Sequence, residues 1–177
     1  MVNILGIDLG VKHLGVALIE APPGRPMRLL QTATMGVALK TKPDQFVHYF
    51  WPRLQPYMRN ADCIGAESLT WFSKRQQGQQ RRGGAPATEL WVKLGSIHGM
   101  LTAMARGFEI EYRSIQPPAL KQIVTGARKG GKEPMIEMAK HLFPDFDGDN
   151  HAADAILAGL ACWQPERITL GSGAAPQ

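Results

Sequence analysis

Asp8 and Glu67 each close an apolar run, ILGID at residues 4–8 and CIGAE at residues 63–67. A carboxylate at the end of a buried strand emerges at the rim of the core, where it reaches solvent or a ligand without the cost of full burial. A third acid, Asp154, follows His151 by three residues in HAADAILAGLACW, and on a helix that spacing sets both on one face. Three acids and an imidazole converging on one spot repel one another strongly at pH 7 unless a cation lies between them. Such an oxygen-rich set with one imidazole suits Mg²⁺, with Mn²⁺ as a substitute. Two ions about 4 Å apart activate water and stabilise the leaving oxygen of a phosphodiester. Spacing alone also permits a structural role, with Asp8 and Glu67 as turn residues and Asp149 to Asp154 as a helix cap.

The elements that must gather these residues are legible from periodicity. Residues 3 to 7 read as a buried strand and Val11 to Glu20 as a second, joined by a tight turn at Leu9 and Gly10. APPGRP is a turn and Met27 to Leu39 a third strand, giving an antiparallel meander. Pro43 starts a helix through Met58 whose Phe46, Tyr49, Phe50 and Leu54 form an apolar stripe assigned to the core. DCIGAES is a short strand, Ala87 to Arg106 a helix capped by Thr88, and FEIEYRSI a fifth strand. Helices follow at about Pro118 to Thr125, Pro134 to Phe143 and His151 to Trp163. The fold class is therefore α/β, a five-stranded mixed sheet flanked by helices, with residues 1–164 as one domain and 165–177 as a flexible tail. A crossover through the first helix sets the 62–67 strand alongside the first, which makes Asp8 and Glu67 neighbours.

A chain of 177 residues, 44% hydrophobic and 20% charged, has the make-up of a single soluble globular domain without a membrane span. Asp8 interrupts the only apolar run near the amino terminus, so secretion is not expected, and Cys63 and Cys162 read as buried thiols of a cytoplasmic protein. The net charge of +5 favours a polyanionic partner. Lys74, Arg75, Arg81 and Arg82 lie in FSKRQQGQQRRGGAP, and Arg128, Lys129 and Lys132 in GARKGGKEP. The first stretch has almost nothing apolar to bury and is expected to order only on nucleic acid.

GIDLGVKHLGVAL, IGAES at 64–68, LKQIVTG at 120–126, GKEPM at 131–135 and HAADAILAGL at 151–160 together resemble the RuvC family of Holliday junction resolvases, in order and spacing, from residue 3 to about 163. GIDLG alone also occurs in sugar kinases and actin-like ATPases; five fragments in register are specific. The resemblance implies a ribonuclease H-like fold, a homodimer, and Mg²⁺-dependent symmetric nicking of four-way DNA junctions. A branch-migration helicase stays an open partner. It matches the family's catalytic acids to Asp8, Glu67 and Asp154, and the position often held by Asp to His151. Lys121 and Lys132 match lysines near the scissile phosphate. Family members carry an aromatic wedge past the glutamate; here Thr70 stands at the closest count, followed by Trp71 and Phe72, which are expected to stack on unpaired bases. The 87–106 helix, with Trp91, Leu94 and His98, is the expected dimer face. The competing readings are another ribonuclease H-fold nuclease acting on RNA or differently branched DNA, and a non-catalytic junction-binding protein. A two-domain ATPase is nearly excluded by length.

Overall fold

The computed structural model describes residues 1–10, 12–37, 41–68, 87–126 and 133–169. Strands β1 (Asn3–Asp8), β2 (His13–Glu20) and β3 (Arg28–Gly36) form the antiparallel meander. Helix α1 (Pro43–Arg59) leads to β4 (Cys63–Glu67), helix α2 (Ala87–Gly107) to β5 (Glu111–Ile115), and helices α3 (Pro117–Thr125), α4 (Glu133–Leu142), α5 (Asn150–Trp163) and α6 (Pro165–Thr169) complete the order. The sheet runs β3-β2-β1-β4-β5, with β4 parallel to both β1 and β5. The expected pairing of the 62–67 strand beside the first is thus present.

Alternation along the strands divides the apolar residues between two faces. Leu5, Ile7, Leu14, Val16, Leu18, Ile64 and Ala66 face α1 and α2, where Phe46, Phe50, Leu54 and Met58 form a fully buried stripe at four-residue spacing. The stripe in α1 is core, as its periodicity predicts. Ile4, Ala17, Ile19 and Cys63 face the other way, onto α5 and the smaller helices around it. Burial pushes the Cys63 thiol up to about 12, which makes it an inert filler.

The described residues after Gln164 differ from expectation. Composition after Gln164 predicts a flexible tail, yet Pro165–Thr169 form α6, with Ile168 fully buried. The Arg167 guanidinium donates to the carbonyls of Pro22 and Arg25 at 2.9 and 3.1 Å, closing the β2–β3 turn against the helix. One apolar side chain and two charge-assisted bonds order a segment that composition reads as mobile. Among the described residues no helix is long and apolar enough to cross a membrane.

Candidate active site

The site is assembled along one row of the sheet and one turn of α5. Asp8 lies opposite Gly15 on β2, and Gly15 opposite Thr34 on β3. Ile7 pairs with Ala66, so the next position along the parallel ladder sets Glu67 beside Asp8. Thr34, Gly15, Asp8 and Glu67 therefore cross four strands at the carboxyl ends of β1 and β4, the end at which parallel strands usually present ligand sites.

Helix α5 docks on this row because the contact is made of backbone. A Cβ on Gly6 would lie 1.9 Å from the Ala155 carbonyl oxygen, and one on Gly15 would lie 2.1 Å from that of His151. Gly159 meets Gly6 and Gly65 in the same way, at 2.9 and 2.8 Å. No side chain fits in these gaps, so the helix sits lower on β1, β2 and β4 than any larger residue allows. Its two ends are tied. Asp149 accepts from the Ala152 amide at 3.0 Å as N-cap and from the Thr34 hydroxyl at 2.7 Å, linking the first turn to β3. At the other end the Trp163 indole donates to the Ile64 carbonyl at 2.9 Å, and the Arg113 guanidinium covers its ring at 3.8 Å.

This docking lowers the first turn of α5 onto Asp8. The Asp8 carboxylate is almost fully buried, and its Oδ2 lies 2.7 Å from His151 Nδ1. One proton is shared across that contact between the imidazole nitrogen and the carboxylate oxygen. Glu67 is half-buried beside them, and its carboxyl is pushed up to about 8, first by burial and then by the charges of Asp8 and Asp154, with Lys121 pulling the other way. Two acids and a lysine, from β1, α5 and α3, thus act on the Glu67 carboxyl of β4.

Among the described residues no group of three or more His, Cys, Asp or Glu side chains is placed so that it could hold a metal ion as the side chains stand. The donors nonetheless suit a hard divalent cation. Carboxylate oxygens with one imidazole nitrogen are the donor chemistry such an ion would take. The raised Glu67 pKa comes first from burial and then from the charges of Asp8 and Asp154, which a bound cation would offset.

Of the residues singled out from the sequence, Asp8 and His151 are hydrogen-bonded, and the charges of Asp8, Asp154 and Lys121 act on Glu67. Lys132, Trp71, Phe72, Lys74, Arg75, Arg81, Arg82, Arg128 and Lys129 lie outside the described residues. Leu94, expected on a dimer face, is instead buried in the domain's own core beside α1, because the apolar stripe of α2 faces inward. His98 packs edge-on against Tyr112, and the Trp91 side chain is outside the described set. Asp149 caps α5, as one reading of its place in the sequence has it, and also accepts from Thr34. Two neighbours are not evident from the sequence. Thr34 carries no local signal. His13 is two residues before Gly15 on the same strand face, a proximity visible only once the register is known.

No family model matches the chain. A crossover junction endodeoxyribonuclease RuvC from Rickettsia prowazekii (strain Madrid E) is 29% identical over 73 residues, which is 40% of this chain and 46% of the relative, so the common stretch spans about half of the relative's length. The structure is similar to that of Thermus thermophilus RuvC, with a TM-score of 0.68 at 19% identity over 89% of this chain and 91% of that one. The same enzyme in complex with its Holliday junction substrate matches at 0.68 and 18% over 95% and 98%. The yeast mitochondrial Holliday junction resolvase matches at 0.61 and 14% over 95% and 80%. The chain thus has the ribonuclease H-like fold of the RuvC junction resolvases, with the sequence likeness confined to part of its length.

Proposed function

We propose that this protein is a metal-dependent endonuclease that resolves four-way DNA junctions by hydrolysing one backbone phosphodiester on each of two strands. The observation that supports the reading is the His151–Asp8 hydrogen bond beside Glu67, whose carboxyl feels the charges of Asp8 and Asp154, in a RuvC-like fold. Asp8, Glu67, Asp154 and His151 are the residues that would hold two Mg²⁺ ions, with Mn²⁺ as a substitute, and bound there the ions supply Lewis-acid stabilisation of the phosphate and an activated water. Asp8 stays fixed by His151 Nδ1. Lys121, already facing the acids electrostatically, offsets their charge and draws the scissile phosphate in, and Lys132 shares that task. Hydrolysis by in-line attack of water forms no bond to the protein.

The basic residues Lys74, Arg75, Arg81, Arg82, Arg128 and Lys129 supply non-specific affinity for DNA phosphates, and Trp71 and Phe72 stack on bases at the crossover. A homodimer with a two-fold axis matches an open junction and sets one site on each of two strands. The protein works in the cytoplasm, where such junctions arise, and a branch-migration helicase is a compatible partner.

The direct test is Asp8→Asn with a labelled immobile junction. Binding is expected to persist within about twofold and nicking to fall by at least about a hundredfold; a variant that nicks at the wild-type rate overturns the reading. Offering a flap and an RNA duplex beside the junction separates a junction resolvase from other nucleases of the same fold.

A further inference from the structure

The first turn of α5 rests on Gly15 and is held from both sides. Thr34, Gly15 and Asp8 stand opposite one another on β3, β2 and β1, and at the usual strand spacing the outer two are about 10 Å apart. The His151 carbonyl fills the space above Gly15, where a Cβ would lie 2.1 Å from its oxygen. Two positions along a helix cover about 200°, so Asp149 at the N-cap and His151 leave the axis on nearly opposite sides. Each has a partner there. Asp149 Oδ1 accepts from the Thr34 hydroxyl of β3 at 2.7 Å, and His151 Nδ1 lies 2.7 Å from Asp8 Oδ2 of β1.

Asp149 Oδ1 also accepts from the Ala152 amide, so cap and tie are separable: the cap needs only α5, whereas the tie needs β3. A cap alone leaves the turn free to roll over the flat surface that a glycine presents. A bond on the far side of the axis removes that freedom, because a roll that shifts His151 along β1 stretches the bond on β3. The length of that bond is typical of a hydroxyl donating to a carboxylate, and the β-branched threonine holds its hydroxyl in few rotamers. We propose that Thr34 is a positioning residue whose hydroxyl, through Asp149, fixes the roll of the first α5 turn and so sets His151 on Asp8. The inference rests on the proposed function for the metal-holding roles of His151 and Asp8; the fixed turn itself is a property of the free protein.

The test compares Thr34→Val, which keeps the branched shape and loses the donor, with Thr34→Ser, which keeps the donor. Amide hydrogen exchange, recorded without metal or DNA, reads the turn directly. In Thr34→Val the amides of Ala152, Ala153 and Asp154 should exchange about fivefold faster, as the loss of one net hydrogen bond implies, with those of Leu157 and Leu160 unchanged. The melting temperature should fall by less than about 4 °C. Groups that orient metal ligands typically act at about tenfold or more, so the Mn²⁺ needed for half-maximal thermal stabilisation should rise by about tenfold and nicking at a fixed low Mn²⁺ concentration should slow in proportion, with junction affinity unchanged. Thr34→Ser should restore the exchange pattern, the Mn²⁺ midpoint and the rate. Unchanged exchange in the first turn of Thr34→Val, or an unchanged Mn²⁺ midpoint, overturns the proposal. So does faster exchange throughout α5 with a large drop in melting temperature, which would make Thr34 a general stabiliser, and so does a Thr34→Ser variant as impaired as Thr34→Val. Weakened junction binding with a normal Mn²⁺ midpoint overturns it in favour of a DNA contact by the hydroxyl. If Asp8→Asn shows that the nuclease reading fails, the exchange pattern still decides whether Thr34 fixes the turn.

Discussion

The carboxyl of Glu67, pushed up to about 8 by its burial and by the charges of Asp8 and Asp154, ties the stability of the free protein to pH. An unfolded glutamate releases its proton near 4.5, whereas the folded one keeps it to about 8. The unfolded state therefore binds fewer protons across that window, and stability falls as pH rises through it. Glu67→Gln keeps the shape of the neutral carboxyl and cannot ionise. Without divalent ions this variant should melt at nearly the wild-type temperature at pH 4.5, and roughly 5 °C above it at pH 8.5, a gap on the order of a few kcal/mol. Mg²⁺ should raise the melting temperature of the wild type at pH 8.5 and that of Glu67→Gln much less. Thermal melts at the two pH values check the sign, and a variant less stable than wild type at pH 8.5 would show that burial and its neighbours' charges do not hold Glu67 neutral.

At the scale of elements the decisive unit is α5 on its glycines. The helix offers alanines and Gly159 to a sheet that offers Gly6, Gly15 and Gly65, and the nearest atoms across the gap are backbone. Backbone cannot rotate away as a long side chain does, so an added methyl displaces the helix. Gly6→Ala should cost about 3 kcal/mol, the upper range for overpacking a well-filled interior. The displacement acts one turn from His151 and beside Asp154, so nicking should drop further than the stability loss accounts for. Chemical denaturation and nicking rates measured well below the transition separate the two effects; full activity with a lost core would place the helix's tolerance elsewhere. The ties from Asp149 to Thr34 and from Trp163 to Ile64 show why the contact is directional and not only close: each end of α5 is bonded to a different strand of the sheet.

For the whole molecule the electrostatic asymmetry matters most. Three acids are concentrated at one end of the sheet while the chain as a whole carries a net charge of +5. A polyanion is attracted to the basic segments and is repelled by the acids unless a cation lies among them. Junction binding should therefore weaken steeply with salt, and replacing Lys74, Arg75, Arg81 and Arg82 together by Gln should flatten the slope of log affinity against log salt by about 3 to 4 if each neutralises one phosphate. Gel shifts at several salt concentrations measure that slope. An unchanged slope would remove those four residues from the DNA contact, and an unchanged melting temperature would confirm that their loss is not a folding defect.

Sequence by itself determined the kinds of element and much of their order, because periods of two and of about 3.6 residues are local properties that a strand or helix must express to bury one face. It also located the acids, since a charge that ends an apolar run has few places to go, and the His151–Asp154 spacing, since one helical turn is fixed by geometry. Only the tertiary structure decided the rest. The bond from Asp8 to His151 spans 143 positions and that from Thr34 to Asp149 spans 115; each depends on sheet register and on the height at which α5 crosses the strands, which no local pattern encodes. The inward turn of Leu94, the order of Pro165–Thr169 and the placement of His13 against His151 were decided in the same way. A side chain's partners are set by which surfaces close packing brings together, and that is a property of the assembled fold.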